Sequence, residues 1–274
     1  MAVKKRLDIL LVEQGFFESR SKARGAIMAG QVLVDGQMVD KAGTLIKEGT
    51  RIELKGENLP YVSRGGLKLE KALEVFSVDP AGKEAMDIGA STGGFTDCLL
   101  QKGAKKVYAI DVGYGQLDWR LRQDERVVVL ERTNFRYLTP EKLPVKADLI
   151  VTDVSFISLR LIIPPALEFL TEQGDIIALI KPQFEAGPER VGKNGIVRDK
   201  GAHEDVLREM LDFFLDKGLY IKGLDYSPIT GASSGNIEFL VHLSNYNGDE
   251  RDRQFWYQRI TEIVAEAHDA LEGG

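Results

Sequence analysis

Two lysines and two carboxylates carry the reactive chemistry of this sequence. Asp153 closes the apolar run Ala147-Asp-Leu-Ile-Val-Thr152, and Lys181 closes Asp175-Ile-Ile-Ala-Leu-Ile180. If strands alternate with helices, these two runs are neighbouring parallel strands, and both side chains stand over the carboxyl edge of one sheet. Glu238 lies at the start of another apolar run, Ile237 to His242. Lys68 comes one residue before the helical stripe Leu69, Ala72, Leu73 and Phe76, at the edge of its buried face. A lysine partly buried among other charges has an altered proton affinity and can hold a weak oxygen nucleophile and its proton. Spacing alone leaves a second reading equally open. Asp153 and Lys181 can be a structural ion pair, Lys68 a snorkelling surface lysine and Glu238 a surface charge.

A second cluster precedes these groups. The stretch Asp87-Ile-Gly-Ala-Ser-Thr-Gly-Gly-Phe-Thr96 follows the end of a buried strand, Lys83 to Met86, and leads into a helix expected over Asp97–Gln101. Glycines in a strand-to-helix turn let the backbone approach a ligand and aim N–H groups at it. Fifteen residues past Thr96, the strand Lys106–Ile110 ends in Asp111. An acid there can accept both hydroxyls of a ribose. A dinucleotide site has the spacing G-x-G-x-x-G, but here three residues separate Gly89 from Gly93 and an acid precedes the first glycine. The string resembles the turn of S-adenosylmethionine-dependent methyltransferases. The expected cofactor residues are Asp87, Gly89, Ser91, Gly93, Gly94, Phe95, Asp111, Asn134 beyond the third strand, and Asp153. A glycine-rich connector with no ligand is the alternative.

Composition narrows the class. The 274 residues suit one large domain and one small one, with 43% hydrophobic and 28% charged content. The net charge is −6 overall, but residues 1–60 hold ten basic and eight acidic groups. One cysteine, Cys98, excludes an internal disulfide and a cysteine-based zinc site, and His203, His242 and His268 have no metal-ligand spacing. We expect no metal. No apolar run is long enough to span a membrane, and the basic start has no signal-peptide apolar region behind it, so a cytoplasmic protein is expected.

The elements that must position these groups fall into two domains, 1–59 and 60–274. In the first, Leu7, Leu10, Leu11 and Gln14 have helical spacing, with a stop at Gly15. Ser19 or Ser21 caps a second helix running to Ala29, ended by Gly30. Val32, Val34 and Val39 alternate around Asp35-Gly36 as a hairpin, and Arg51–Leu54 alternates as a further strand. Arg20, Lys22 and Arg24 gather at a helix start, where they can follow a phosphate backbone or simply form a solvated face. The polar segment Lys55–Pro60 is the boundary.

In the second domain, strands end at Asp87, Asp111, near Asn134, at Asp153 and at Lys181, and the last pair is Leu219–Tyr226 and Ile237–His242. Helical runs cover Leu159–Leu170, kinked at or starting from Pro164-Pro165, then Ala202–Leu215, and a tail from Trp256 to Leu271. This is an α/β doubly wound, mostly parallel sheet of seven strands, with one of the last pair antiparallel. Residues 183–201 read as a long loop over the strand tips, a substrate-side lid offering Arg190, Lys193 and Arg198 to phosphates.

Two resemblances sharpen this reading. Arg6-Leu-Asp8 … Leu11 … Ser19-Arg-Ser-Lys-Ala23 … Ile27 … Gly30-Gln-Val32 … Val34-Asp-Gly36 resembles the small RNA-binding module of a small-subunit ribosomal protein. That implies RNA contacts from Arg6, Arg20, Lys22 and Arg24 through shape and backbone. Ser63-Arg-Gly-Gly-Leu-Lys-Leu69, the glycine turn, Thr152-Asp-Val-Ser-Phe156, Ile180-Lys-Pro-Gln-Phe-Glu185 and Gly235-Asn-Ile-Glu238 resemble the TlyA family. That family, also called haemolysin-A-like, joins the RNA-binding module to an FtsJ-like, Rossmann-like methyltransferase domain. The resemblance implies S-adenosyl-L-methionine as cofactor and 2′-O-methylation of a cytidine ribose in ribosomal RNA. It implies a tetrad of Lys68, Asp153, Lys181 and Glu238, with Lys181 nearest the hydroxyl, and adds Arg64 as an RNA contact. The alternatives are an RNA-binding assembly factor without catalysis, a membrane-active haemolysin, and methylation of a base. The base reaction ordinarily places an Asn/Asp-Pro-Pro-aromatic string where this chain has Asp153-Val-Ser-Phe156.

Overall fold

Two compact units divide the chain, Met1–Leu59 and Pro60–Gly274. A computed structural model describes residues 4–13, 16–17, 19–35, 37–47, 50, 52–54, 60–231, 235–246 and 251–272. Gln14, the expected helix stop Gly15, the hairpin glycine Gly36, Arg51 and the linker residues 55–59 lie outside the described residues, as do 232–234.

In the first unit, β1 (Lys4–Arg6) leads into α1 (Leu7–Glu13), followed by α2 (Arg20–Met28). Ser19 caps α2 by accepting the Lys22 N–H at 3.3 Å, which satisfies one of the donors a helix start leaves free. Leu7, Leu10 and Leu11 pack against Ala23, Ile27 and Val32. β2 (Val32–Val34) pairs antiparallel with β3 (Gln37–Met38) and with β5 (Ile52–Leu54). β1 pairs antiparallel with β4 (Leu45–Lys47), a ladder the sequence reading lacked. The run Lys4-Lys5-Arg6 has no apolar alternation to reveal a strand.

The second unit opens with α3 (Gly65–Val75), β6 (Glu84–Ile88), α4 (Gly94–Gln101) and β7 (Lys106–Ile110). It continues with α5 (Trp119–Gln123), β8 (Val127–Leu130), β9 (Ala147–Thr152), α6 (Ile163–Leu167) and β10 (Leu170–Ile180). It closes with α7 (Pro182–Glu185), α8 (Lys200–Asp216), β11 (Tyr220–Tyr226), β12 (Phe239–Ser244) and α9 (Arg253–Glu272). The seven strands take the order β11-β12-β10-β9-β6-β7-β8. β6 to β10 are parallel, and β12 runs antiparallel to both β10 and β11.

Alternate residues of each central strand enter different cores. Met86, Ile88, Ile176 and Ile180 pack toward α6, α8 and α9, while Ala85, Val151, Ile177 and Leu179 pack toward α3 and α4. Burial on both faces explains why these strands read as continuous apolar runs. The apolar stripe of α9, Trp256, Ile260, Ile263 and Val264, belongs to the first of these cores.

Several boundaries differ from expectation. α4 starts at Gly94 rather than Asp97. A Cβ on Gly94 would lie 2.3 Å from Ser63 Oγ and 2.8 Å from Gly66 N, so a bare Cα is what lets the starts of α3 and α4 touch. The run Leu159–Leu170 divides into a 3₁₀ turn, Leu159–Leu161, and α6, whose first turn holds the prolines; Leu170 already belongs to β10. Residues 183–201 are not structureless. They hold the end of α7, 3₁₀ turns at Pro188–Arg190 and Lys193–Gly195, and the start of α8. Glu238 stands one residue before β12, and its carbonyl accepts the Ser227 N–H at 2.8 Å.

Candidate active site

The four groups from distant parts of the chain meet over the carboxyl tips of β9 and β10. Lys181 Nζ lies 2.6 Å from Asp153 Oδ1 and donates to Ser155 Oγ at 2.9 Å. Lys68 Nζ, from the first turns of α3, donates to Glu238 Oε2 at 2.5 Å and to Asp153 Oδ2 at 3.4 Å. Asp153 therefore bridges two lysines, and Lys68 bridges two carboxylates. Lys68, Lys181 and Glu238 are buried, so Lys68 is not the snorkelling surface residue of the alternative reading. Two positive and two negative groups leave the cluster formally neutral, which is how four charges can be buried together.

Burial alone would lower the Lys68 ammonium, but Asp153 and Glu238 outweigh it and hold the group above its ordinary value. Burial likewise pushes the Asp153 carboxyl up, while Lys68 and Lys181 together bring it below the ordinary carboxylate range. Both groups are held in their charged forms.

Two cavities adjoin at this cluster. One, of about 470 Å³, is lined by Lys68, Lys181, Glu238, Ser63, Arg64 and Phe95 among others. The other, of about 390 Å³, is lined by Ile88, Ile110, Asp111, Val112, Asn134 and Phe135 among others. Gly89, Ser91, Asp153, Ser155 and Phe156 line both. Asp111 is fixed by accepting backbone N–H groups from Ser91 at 2.8 Å and Gly113 at 2.6 Å. Asn134 caps a 3₁₀ turn, Phe135–Tyr137, by accepting the Arg136 N–H at 3.2 Å. The first cavity also receives the starts of α3 and α4; the Gly66 and Leu67 N–H groups of α3 are already bound to the Ser63 and Arg64 carbonyls, so the positive end of α4 is the one that favours an anion.

Not every nominated residue reaches a cavity. Gly93 has φ +96°, the left-handed backbone of a helix cap, and lies against Leu117 and Leu121 instead. Asp87 is fully buried beneath the turn, lines neither cavity and accepts the Thr96 hydroxyl at 2.7 Å through Oδ2. Among the described residues its Oδ1 is buried without a partner. Burial first, then the neighbouring Asp153 and Asp111 charges, raise this carboxyl to about 7 against the opposing Thr96 hydrogen bond. The folded state thus keeps a proton on Asp87 that the unfolded chain releases near pH 4. Stability from this residue falls as pH rises from about 4 to about 7 and is level above, a loss of about 4 kcal/mol. Urea unfolding of native protein and of Asp87→Asn across that window should give stability curves that differ by that slope.

Of the arginines offered to RNA, Arg190 donates to Glu209 of α8 at 3.1 Å, a partly exposed pair. Lys193 and Arg198 are exposed, and the turn between them is pinned by Asn236, which accepts the Val197 N–H and donates to the Gly195 carbonyl, each at 2.9 Å. In the first unit, Arg6 and Arg20 both donate to the buried Asp8, whose carboxyl they hold far below the ordinary range. Asp8 thereby fixes where two exposed cations stand. Lys22 and Arg24 are exposed on α2. Sequence reasoning missed Ser155, Phe156 and Phe184. Phe156 is 90% exposed at φ +62° and its ring centroid lies 5.1 Å from that of Phe184. No spacing rule marks such a residue.

Residues 61–245 match the FtsJ-like methyltransferase family, and residues 5–52 match the S4 domain. A Bacillus subtilis (strain 168) protein, YqxC, with the provisional name of an rRNA methyltransferase, is 54% identical over 98% of this chain and 96% of its own. The 16S/23S rRNA (cytidine-2′-O)-methyltransferase TlyA of Mycobacterium tuberculosis (strain ATCC 25618 / H37Rv) is 43% identical over 89% of this chain and 91% of its own. The chain belongs to the TlyA family of FtsJ-like methyltransferases. A solved structure from Streptococcus thermophilus, described provisionally as a hemolysin, is 49% identical, covers 100% of this chain and 98% of its own, and superposes with a TM-score of 0.77. Among the described residues, no helix of this TlyA-family chain is long and apolar enough to cross a membrane.

Proposed function

We propose that this enzyme methylates a ribose 2′-hydroxyl, that of a cytidine in ribosomal RNA, with S-adenosylmethionine as methyl donor, in the cytoplasm. The observation carrying this reading is the shared wall between the two cavities. One holds the nucleoside-binding pattern, the other holds the lysine–carboxylate tetrad, and Asp153 belongs to both. The names of the methyltransferase relatives support the substrate.

The donor fits the residues present. Asp111 suits the cofactor's ribose hydroxyls, and the apolar slot of Ile88, Ile110 and Phe135, with Asn134 beside it, suits its adenine. The helix start at Gly94 suits its carboxylate. Asp87 is better read as a support, holding Thr96 and the turn from below, than as a contact. When bound, S-adenosylmethionine supplies an electrophilic methyl on a sulfonium.

A ribose hydroxyl is a weak nucleophile, so the protein must orient its oxygen and manage its proton. Lys181 takes that role, holding the oxygen and, as an ammonium, stabilising the charge left as the proton departs, or, as a neutral amine, receiving that proton. Asp153 and Ser155 set the Lys181 amino group in place. Lys68, held by Glu238 and Asp153, orients the sugar. Phe156 and Phe184 offer an aromatic surface at the mouth for the base that carries this ribose. Arg6, Arg20, Lys22 and Arg24 on the S4 module, with Arg64, Lys193 and Arg198 on the catalytic unit, contact the RNA backbone.

Transfer of labelled methyl to isolated ribosomal subunits tests this directly. Label on a ribose after nuclease digestion is the expected result. Label on a base, or none with the donor still bound, would overturn the ribose assignment or the RNA partner respectively.

A further inference from the structure

Beyond the cavities, an edge of the catalytic unit carries exposed tyrosines interleaved with arginines. Tyr114, beyond β7, is 68% exposed, and Tyr137, in the turn beyond β8, is 61% exposed. The Arg132 guanidinium lies 4.1 Å over the Tyr114 ring, and that of Arg136 lies 5.3 Å from the Tyr137 centroid. Among the described residues, neither arginine forms an ion pair. The acids nearby are already engaged. Glu131 pairs with Arg122 and accepts the Gly115 N–H, and Asp118 pairs with Arg120.

The backbone holds this arrangement at some cost. Arg132 adopts φ +53°, a region that non-glycine residues rarely occupy, and its N–H is bound to the Gly113 carbonyl at 2.9 Å. Arg136 sits in the turn capped by Asn134. The same turn leads to the catalytic cavity. Arg136 lines an open groove with Phe156, Ser158 and Phe184, and both phenylalanines also line the cavity that holds the tetrad.

We propose that Tyr114, Arg132, Arg136 and Tyr137 form a docking strip for the single-stranded RNA that flanks the methylated nucleotide. This rests on the RNA-methyltransferase reading and extends it. Flat exposed rings with guanidinium groups over them suit unpaired bases and their phosphates, because every base has a stacking face and every linkage a negative charge. A duplex keeps its base faces stacked and would not present them to such rings. Continuity with the tetrad cavity through Phe156 and Phe184 gives the strand a path from the reacting ribose onto the strip.

The test uses the full chain and a short fluorescein-labelled oligocytidylate, with affinity read by anisotropy. The paired substitution Tyr114→Ala with Tyr137→Ala is expected to weaken binding about tenfold or more, while Tyr114→Phe with Tyr137→Phe keeps it. Arg132→Ala is expected to lower the salt dependence by about one phosphate contact. Equal affinity in the alanine pair overturns the strip. So does equal loss in the phenylalanine pair, which would indicate hydroxyl contacts or misfolding. Self-association of the native protein that the alanine pair abolishes would overturn it too, because the surface would then join two copies. The outcome is separable from that of the reaction. Strip-dependent binding with no label on any ribosomal substrate keeps the strip and overturns the proposed substrate, and label on a ribose with a neutral strip does the reverse.

Discussion

Lys181→Ala is expected to lower kcat for methyl transfer about 10³-fold while leaving donor affinity within a few-fold of native. General acid–base groups typically contribute factors of about 10²–10⁴, and about 10³ corresponds to about 4 kcal/mol of barrier. Lys181 is the lysine bonded both to Asp153 and to Ser155, at the wall where the two cavities join. Removing it leaves Asp153 facing Lys68 at 3.4 Å, so the carboxylate keeps a counter-charge and the site does not lose its remaining order. The adenosine-side residues, Asp111 and Asn134, are untouched. Lys181→Arg sharpens the result. A guanidinium keeps the charge and the pairing but does not exchange a proton at accessible pH. Single-turnover rates with saturating donor should therefore remain low in this variant. Recovery of most of the rate by arginine would mean that charge placement alone suffices and that Lys181 never receives the proton.

Sequence and structure agree best where burial dictates pattern. The central strands β6, β7, β9 and β10 are covered on both faces, so their runs were mostly apolar and the ends before Asp111, Asp153 and Lys181 were visible, whereas β6 carries one residue past the expected end at Asp87, to Ile88. Agreement fails where a residue's reason is tertiary. Gly94 reads as part of a loop, but it begins α4 because its missing side chain admits Ser63 and Gly66. Lys4–Arg6 reads as a basic tail, but its backbone pairs with Leu45–Lys47. Residues 183–201 read as a lid rich in free cations, but Arg190 is bound to Glu209, which nothing nearby in sequence announces.

The site was legible in part for the same reason. Asp153 and Lys181 lie at the tips of adjacent parallel strands, a relation that strand order alone gives. Lys68 and Glu238 are separated by 170 positions, and spacing could not distinguish them from surface charges. Their assignment came from resemblance, and the structure supplies the physical link, a buried ion pair. Phe156 and Ser155 were within a quoted motif, yet their roles depend on a positive φ and a lysine 26 residues away.

That buried pair yields the second large effect. Glu238→Leu is expected to destabilise the protein by about 3 kcal/mol, the cost of leaving one buried charge under-compensated. Lys68 would keep only the longer contact to Asp153. The double variant Lys68→Met with Glu238→Leu removes one charge of each sign, so the remaining Lys181–Asp153 pair is still formally neutral. Stability should return to within about 1–2 kcal/mol of native, because a well-packed apolar pair often replaces a buried ion pair at little cost. Activity should not return with it, since nothing then orients the sugar beside Lys181. Urea unfolding and single-turnover methyl transfer on the same three proteins separate the two quantities. A double variant that is both stable and active would reduce Lys68 and Glu238 to a structural pair and leave the chemistry to Asp153 and Lys181. A double variant as unstable as Glu238→Leu would show instead that the fold needs the pair itself, whatever its charge.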